Sequence, residues 1–394
     1  MENNKKIVIF EFQDLRYASR ARKEAFSLSK NGFDVTLVGF SRVINKKNKY
    51  IERGVYFVEV PFLRFFKDKF IGKVLNIFLT NIFLTKFLII NDFNIYHLHD
   101  LKLFFPALIA RVFKNRPLIY DAHELHIKKR ENKSYRDKIL SKYDEIKERI
   151  LIKLSKGILQ ASDLRAEYFQ NYYKTKKPIV IENHENLINI NNKVKDIKTI
   201  LGLSDDSIIL IYTGNISIGG NQNIVNVIKA LAYLPENIHF CLMGRGSENT
   251  IKKLLEIADD INIKKRFHII PPVKSEEVVS TISSADIGII PIYANCLNSE
   301  YSALNKLSQS LMAGLAIASS DYENMRKVIF NNKIGVVGNT FNVESIISIA
   351  DSIKFILNSN LKEMKIKARL LAETELNWEN EEKKLIDFYD STLI

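Results

Sequence analysis

Short apolar runs alternate with longer amphipathic stretches along most of the chain. KIVIFEF opens the series, an amphipathic stretch over Ala18 to Lys30 follows, and Gly32 leads into DVTLVGF. IYHLHD, a helical pattern over Leu103 to Phe113, PLIYDAHE, GILQAS, another helical stretch and PIVIEN continue the alternation. Short apolar runs separated by patterns of helical period predict strand–helix–strand units, and therefore a parallel, doubly wound sheet. After the polar segment ENLININNKVKD the same grammar restarts. It runs through IILIYTGN, a helix near Ile224 to Leu234, HFCLMGRG, a helix over Asn249 to Ala258, FHIIPP, a helix over Ser275 to Ser284, and IGIIPI. YSALNKLSQSLMAGLAI then predicts a helix ended by Gly314 and a further strand, with IGVVG after it and a terminal amphipathic helix over NWENEEKKLIDFYDSTLI. Two Rossmann-like α/β domains follow from this order, one over 1–190 and one over 191–375.

Composition narrows the class. At 394 residues, with 46% hydrophobic and 26% charged residues, the chain can form two globular cores. Cys241 and Cys296 give neither a disulfide framework nor metal-ligand spacing, which fits a reducing, cytoplasmic setting. The N-terminus reads as a first strand rather than a signal peptide. The longest uncharged apolar stretch, Val74 to Thr85, is 12 residues, too short to span a bilayer.

Charge divides the chain unevenly. Residues 1–190 hold 36 Lys+Arg against 21 Asp+Glu, whereas residues 191–394 hold 22 against 24. An anionic partner is therefore expected at the first half only. Within it, residues 62–90 interleave aromatics with Arg64, Lys67, Lys69, Lys73 and Lys86, a pattern suited to the headgroup layer of an anionic membrane. A buried helix with a few exposed lysines is the competing reading. Lys128, Lys129 and Arg130 form a further basic cluster, read as a solvated loop. No nucleic-acid-binding motif is found, so nucleic acid is not expected as a partner.

The candidate chemistry lies near strand ends and at one helix mouth. A helix starting near Asn305 would turn free N–H groups and a positive dipole end toward a phosphate, with Lys306 adding a point charge. Gly214, Gly219 and Gly220 let backbone approach a phosphate closely. His99 and Asp100 end one strand, and Asp121, His123 and Glu124 end another, where ligands of an α/β sheet are expected. Asp14, Arg16 and Arg20 follow the first strand.

DLRYASRARKEAFSLSKNGFDVTLVGF, IYHLHDLKLFFPALIA with PLIYDAHE, IYTGNISIGGNQN, LMGRGS, and ADIGIIPI with YSALNKLSQSLMAGLAIASS occur in the order of one known family. On these motifs the chain resembles, over nearly its whole length, the family 4 glycosyltransferases of the GT-B fold. In that fold two Rossmann-like domains face each other across a cleft. NWENEEKKLIDFY is similar to the family's closing helix, which implies that 380–394 pack back on the first domain. The resemblance implies transfer of a hexosyl-type sugar from a nucleotide-diphosphate donor to a lipid-linked or polysaccharide acceptor, with retention and without metal or cofactor. The setting it implies is bacterial cell-surface glycan synthesis on the inner face of the membrane. The resemblance assigns Gly214, Asn215, Gly220, Arg245, Val273, Lys274, Tyr301, Asn305, Lys306 and Gln309 to the donor. It assigns His123 and Asp100 to catalysis, beside which Glu300 is the third catalytic candidate; Arg16 and Arg20 are placed to contact an anionic acceptor or to close the cleft, and His99 and Glu124 are the further acceptor candidates.

The chain departs from the family at four of these positions. Tyr301 and Gln309 stand where the family carries two glutamates, and Glu300 is placed to take over the sugar contact. An amide at Gln309 can still accept one hydrogen bond and donate another to a ribose. Asn215 and Gly220 stand where an arginine and a lysine usually neutralise the leaving diphosphate, leaving Arg245, Lys274 and Lys306 as replacements. These departures motivate a second reading, an inactive GT-B protein that binds glycan or a partner enzyme. A third, a nucleotide-sugar 2-epimerase, shares the fold, but the tail and the His-Asp strand match the transferases better.

Overall fold

The structure is a computed structural model that describes residues 5–41, 48–61, 70–126, 135–190, 196–294, 296–302 and 305–393. The chain forms two units, Met1–Asn183 with Glu381–Ile394, and His184–Asn380.

In the first unit the order is β1 (Lys6–Asp14), α1 (Ser19–Lys30), β2 (Asp34–Ser41), β3 (Asn48–Glu52), β4 (Val55–Pro61), α2 (Phe70–Ile90) and β5 (Ile95–His99). It continues with α3 (Phe104–Lys114), β6 (Leu118–Asp121), α4 (Tyr135–Leu154), β7 (Gly157–Gln160), α5 (Asp163–Tyr173) and β8 (Ile179–Val180). The sheet order is β3-β4-β2-β1-β5-β6-β7-β8, parallel except for the β3–β4 hairpin. That hairpin was not anticipated. Its two-residue turn places Arg53 at φ 48° and Gly54 at φ 79°, the doubly positive geometry that matches strand twist. The sheet reverses direction of growth between β1 and β5, a topological switch point beyond whose strand ends α/β proteins hold ligands.

The second unit runs α6 (Ile197–Leu201), β9 (Ile208–Asn215), α7 (Ile224–Ala230), β10 (Ile238–Arg245), α8 (Glu248–Asp260), β11 (Phe267–Ile270), α9 (Val278–Ile282) and β12 (Ile287–Ile290). It ends with α10 (Leu297–Glu300), α11 (Asn305–Met312), β13 (Ala316–Ser320), α12 (Glu323–Phe330), β14 (Gly338–Phe341), α13 (Ile346–Asn358) and α14 (Leu361–Thr374). Its sheet, β11-β10-β9-β12-β13-β14, is wholly parallel and switches between β9 and β12. Apolar residues pack on both of its faces, with Phe240 and Leu242 in one cluster and Cys241 and Met243 in the other. That explains the near-continuous apolar strands in the sequence. The helix expected over Ser275 to Ser284 is shorter, because Ser275–Glu277 form a 3₁₀ turn before α9.

The last helix, α15 (Trp378–Leu393), joins the first unit through residues 381–394. Glu382 accepts from Ser27 (2.8 Å) and Lys30 (2.9 Å) of α1, and the Tyr389 hydroxyl meets His97 Nδ1 of β5 at 2.7 Å.

Candidate functional site

In the second unit Asn215 and Arg245 are the last residues of β9 and β10, Val273 with Lys274 follow β11, and Glu300 with Tyr301 follow β12 at the end of α10. All follow the carboxyl edge of the one parallel sheet, whose switch point lies between β9 and β12. Asn215 and Arg245 are side by side in register and both exposed. The backbones close up because residue 244 is glycine: a Cβ there would come within 1.7 Å of the Gly214 carbonyl oxygen. Gly214 itself has φ 127°, a conformation that favours glycine.

Helix α11 meets this edge. A Cβ on Gly214 would lie 3.0 Å from Lys306 Cε, and Lys306 Nζ sits 5.4 Å from the centre of the Tyr212 ring. Burial lowers the Lys306 pKa, so the cation is poorly hydrated and has a reason to take an anionic partner. One turn on, Gln309 Oε1 accepts from the Thr213 hydroxyl at 3.4 Å, which leaves its amide nitrogen to donate. Asn305 is exposed where the helix begins. Lys306 thus lies against Gly214 and Tyr212, and Gln309 against Thr213, with Tyr212 and Thr213 as members that sequence reasoning missed. Gly220 packs on Ser217, whose hydroxyl bonds Gln222 at 3.2 Å. Lys274 is exposed and precedes the 3₁₀ turn, and Glu300 and Tyr301 are half-buried.

In the first unit a buried ion network lies at the ends of β5 and β6. His99 Nε2 is 3.2 Å from Glu24 Oε2, and its Nδ1 is 3.3 Å from Asp121 Oδ2. Arg20 Nε donates to Asp121 at 2.6 Å and lies 3.1 Å from Glu24, and the guanidinium also donates to the Ile181 carbonyl. Burial opposes charge on His99, yet Glu24 and Asp121 hold its pKa up at about 9. His97 goes the other way: burial and the neighbouring His99 push it down to about 4. Burial likewise opposes ionisation of Glu24 and Asp121, but Arg20 and His99 hold both below the usual carboxylate range. Two cations therefore balance two anions.

Arg20 and His99, expected at the acceptor, are 8% and 0% exposed. Arg20 Nε and both ring nitrogens of His99 face the carboxylates of Glu24 and Asp121, so the two residues tie α1 to the ends of β5 and β6. The signal that would have found Glu24 is absent from the pattern, since a glutamate mid-helix reads as a solvent position.

Asp100 has φ 74° and is 7% exposed. Its carboxylate meets His126 Nε2 at 2.9 Å and Lys102 Nζ at 3.0 Å, and accepts from the Lys102 amide at 3.4 Å. Although burial raises it, His126 and Lys102 hold the Asp100 pKa well below the usual range, while Asp100 raises that of His126. His126 was not singled out, though it stands three residues after His123 in DAHELH. His123 has a side chain 25% exposed, and its carbonyl accepts from Arg165. Burial pushes its pKa down to about 4, so it is a neutral imidazole able to accept a proton. Arg16 is exposed and bidentate on Asp14, at 3.0 and 2.6 Å, and Glu124 is half-buried. Arg64, Lys67, Lys69, Lys128, Lys129 and Arg130 lie outside the described residues, as does the Lys73 side chain.

Two groups among the described residues bring potential metal-ligand atoms within 4.8 Å of one another, Glu24–His97–His99–Asp121 and Asp100–Glu124–His126. The first already has its charge balanced by Arg20 and protonated His99, and a cation there would have to displace that proton.

Residues 193–371 match the family model of glycosyl transferases group 1. No curated protein matches the chain. Among solved structures it is similar to sucrose-phosphate synthase from Thermosynechococcus elongatus, with a TM-score of 0.81 at 14% identity over 99% of each chain. It is also similar to Anabaena HepE in complex with UDP and glucose (TM-score 0.69, 11% identity, 98% of this chain and 100% of the other). A third is WaaG, a glycosyltransferase involved in lipopolysaccharide biosynthesis (TM-score 0.66, 14% identity, 96% and 98%). The chain thus has the GT-B fold from end to end, and the match to the glycosyl transferases group 1 model falls within its second unit.

Proposed function

We propose that the protein is a glycosyltransferase that takes a sugar from a nucleotide-diphosphate donor held on its second unit. The observation that carries this reading is the junction of α11 with the end of β9. There a half-buried lysine, a helix N-terminus and a glycine turn converge at the switch point of a parallel sheet. These are the fixed positive groups that stabilise charge developing on a departing diphosphate. Arg245 and Lys274 at the same edge are the proposed further cations, and Gln309 the proposed ribose ligand.

On the first unit His123 is proposed to face the reacting sugar or acceptor, with Asp100 as the carboxylate that orients the acceptor and Glu300 supplying a donor-sugar contact. Arg16 and Glu124 are the proposed acceptor contacts. Transfer is proposed to retain configuration and to proceed without metal. The proposed acceptor is a glycan or lipid-linked glycan of the cell surface, reached from the cytoplasmic side, with the basic residues of 62–90 against anionic headgroups. The two-domain division proposed is 1–190 with 380–394, and 191–375.

A donor screen by mass spectrometry with purified protein tests the reading, and release of a nucleoside diphosphate from one donor in the presence of acceptor is the expected result. A second reading, a glycan-binding protein without turnover, is favoured by the uncharged Asn215 and Gly220. It is supported if a donor binds but is neither transferred nor hydrolysed.

A further inference from the structure

In the first unit every crossover from β4 to β8 runs toward the same edge of the sheet. Right-handed crossovers in one direction place their helices on one face, so α2, α3, α4 and α5 lie in a single outer layer, in which α5 exposes Asp163 and Glu167, both paired with Lys177. The exposed surface of this layer has an unusual composition, clearest on α4.

Tyr135, Ile139, Tyr143, Ile146 and Ile150 recur at helical spacing along one face of α4, each between 36% and 79% exposed. Lys138, Lys142, Arg149 and Lys153 are the other described residues exposed on this helix. The acids of α4 are turned away. Glu145 and Glu148 are buried and Asp137 and Asp144 are half-buried. Glu145 accepts from Lys142 and Arg149, each at 2.9 Å, from beneath. The same holds for the neighbours. Phe78, Ile82, Ile89 and Ile90 are exposed on α2 beside Lys86, and Val112 and Phe113 on α3. Among the described residues of α2, α3 and α4, no aspartate or glutamate is exposed.

We propose that this layer, centred on the outer face of α4, docks on an anionic lipid bilayer. Aromatic and aliphatic side chains at helical spacing enter the headgroup layer, while lysine stems extend along it and keep their ammonium groups at the phosphates. The absence of exposed acid among the described residues of α2, α3 and α4 removes the repulsion that an anionic surface would otherwise exert there. Three of the four α4 cations are lysines, which are depleted from protein interfaces, so a bilayer suits this face better than a protein partner. At about 1.5 Å per residue the 20 residues of α4 span about 30 Å, long enough to lie in the interface plane. None of its contact residues belongs to the donor site. The inference rests on the peripheral attachment proposed above and places its centre on α4 rather than on residues 62–90.

The test is co-sedimentation of the full chain with phosphatidylcholine vesicles, with and without phosphatidylglycerol. Two double variants, Lys138→Gln with Lys153→Gln and Ile139→Asp with Ile146→Asp, are compared with wild type. Binding to the anionic vesicles, weakened by salt, is expected for wild type. At about fivefold per cation the lysine pair should weaken it on the order of 25-fold, and the isoleucine pair should reduce it to background. Circular dichroism and nucleoside-diphosphate calorimetry without vesicles should be unchanged in both variants. Equal binding by wild type and both variants overturns the proposal, as does wild type that ignores phosphatidylglycerol. Concentration-dependent dimerisation that both variants abolish overturns it too, by giving the face to a second copy. Loss of nucleotide binding in wild type strikes the transferase reading and leaves the vesicle result to stand or fall alone.

Discussion

The ion network beneath the ends of β5 and β6 makes a specific prediction about pH. His99 is fully buried and its pKa is raised from 6.5 to about 9. A group whose folded pKa is raised stabilises fully below its unfolded pKa and loses that contribution as pH rises through the folded value. Between pH 6.5 and 9.5 the loss from this one imidazole is about 3 kcal/mol. Glu11 acts in the same direction earlier, since burial raises it to about 7 and its contribution fades as pH climbs from 4.5 to that value. Tryptophan fluorescence would miss the effect, because the only tryptophan, Trp378, belongs to the second unit. Hydrogen exchange resolved by mass spectrometry reports each unit separately. After correction for intrinsic rates, β1 and β5 amides should lose about 100-fold of protection over this range, while β9 and β10 amides keep theirs. His99→Gln should be less stable at pH 6.5 and show a flattened pH response. A wild-type response that persists unchanged in His99→Gln would refute this account of the network.

Other outcomes follow from single contacts. Tyr389→Phe removes the hydroxyl on His97 and should cost about 1 kcal/mol or somewhat more, read by chemical denaturation followed by circular dichroism. Asp100→Asn should lower Tm, because it removes the buried carboxylate that His126 and Lys102 hold ionised and leaves His126 without its anion, and it should lower kcat as well. Gly244→Ala should abolish nucleotide binding and lower the Tm of the second unit, since its Cβ would overlap the Gly214 carbonyl. Gln309→Ala should weaken the donor by about tenfold in calorimetry, and Gln309→Glu should preserve it; equal affinity for all three proteins removes Gln309 from the site.

The fold was legible because each strand and helix carries its own local signal. Continuous apolar runs such as IILIY and IGII mark strands buried on both faces, and the alternation with helical patterns dictates the parallel sheet. The closing helix was likewise readable from its own periodicity. The β3–β4 hairpin was less so, since Arg53 at positive φ is not a residue that announces a turn.

The candidate site was legible only in part, for a physical reason. Gln309 and Lys306 lie on one helix turn, so their proximity follows from spacing. Thr213 and Tyr212 reach them from across 90 residues or more, as the Thr213–Gln309 bond shows with a separation of 96. In the first unit Arg20 meets Asp121 across 101 residues and His97 meets Tyr389 across 292. Charged residues on the core side of α1 contradict the rule that polar positions face water, and only their partners explain them. Arg20 and His99, read from the sequence as ligand contacts, carry charges that Asp121 and Glu24 balance internally. The exposed face of α4 was hidden by the opposite effect, because its inward acids dilute the charge pattern that its outward cations would have shown.

The β9–α11 junction is the proposed nucleoside-diphosphate site. Titration calorimetry of wild type and Lys306→Ala against a panel of nucleoside diphosphates and nucleotide sugars tests it most directly. At least one diphosphate should bind wild type, and loss of the Lys306 cation should weaken it by about 10- to 100-fold. Binding of none of them, or equal affinity in Lys306→Ala, would contradict the account.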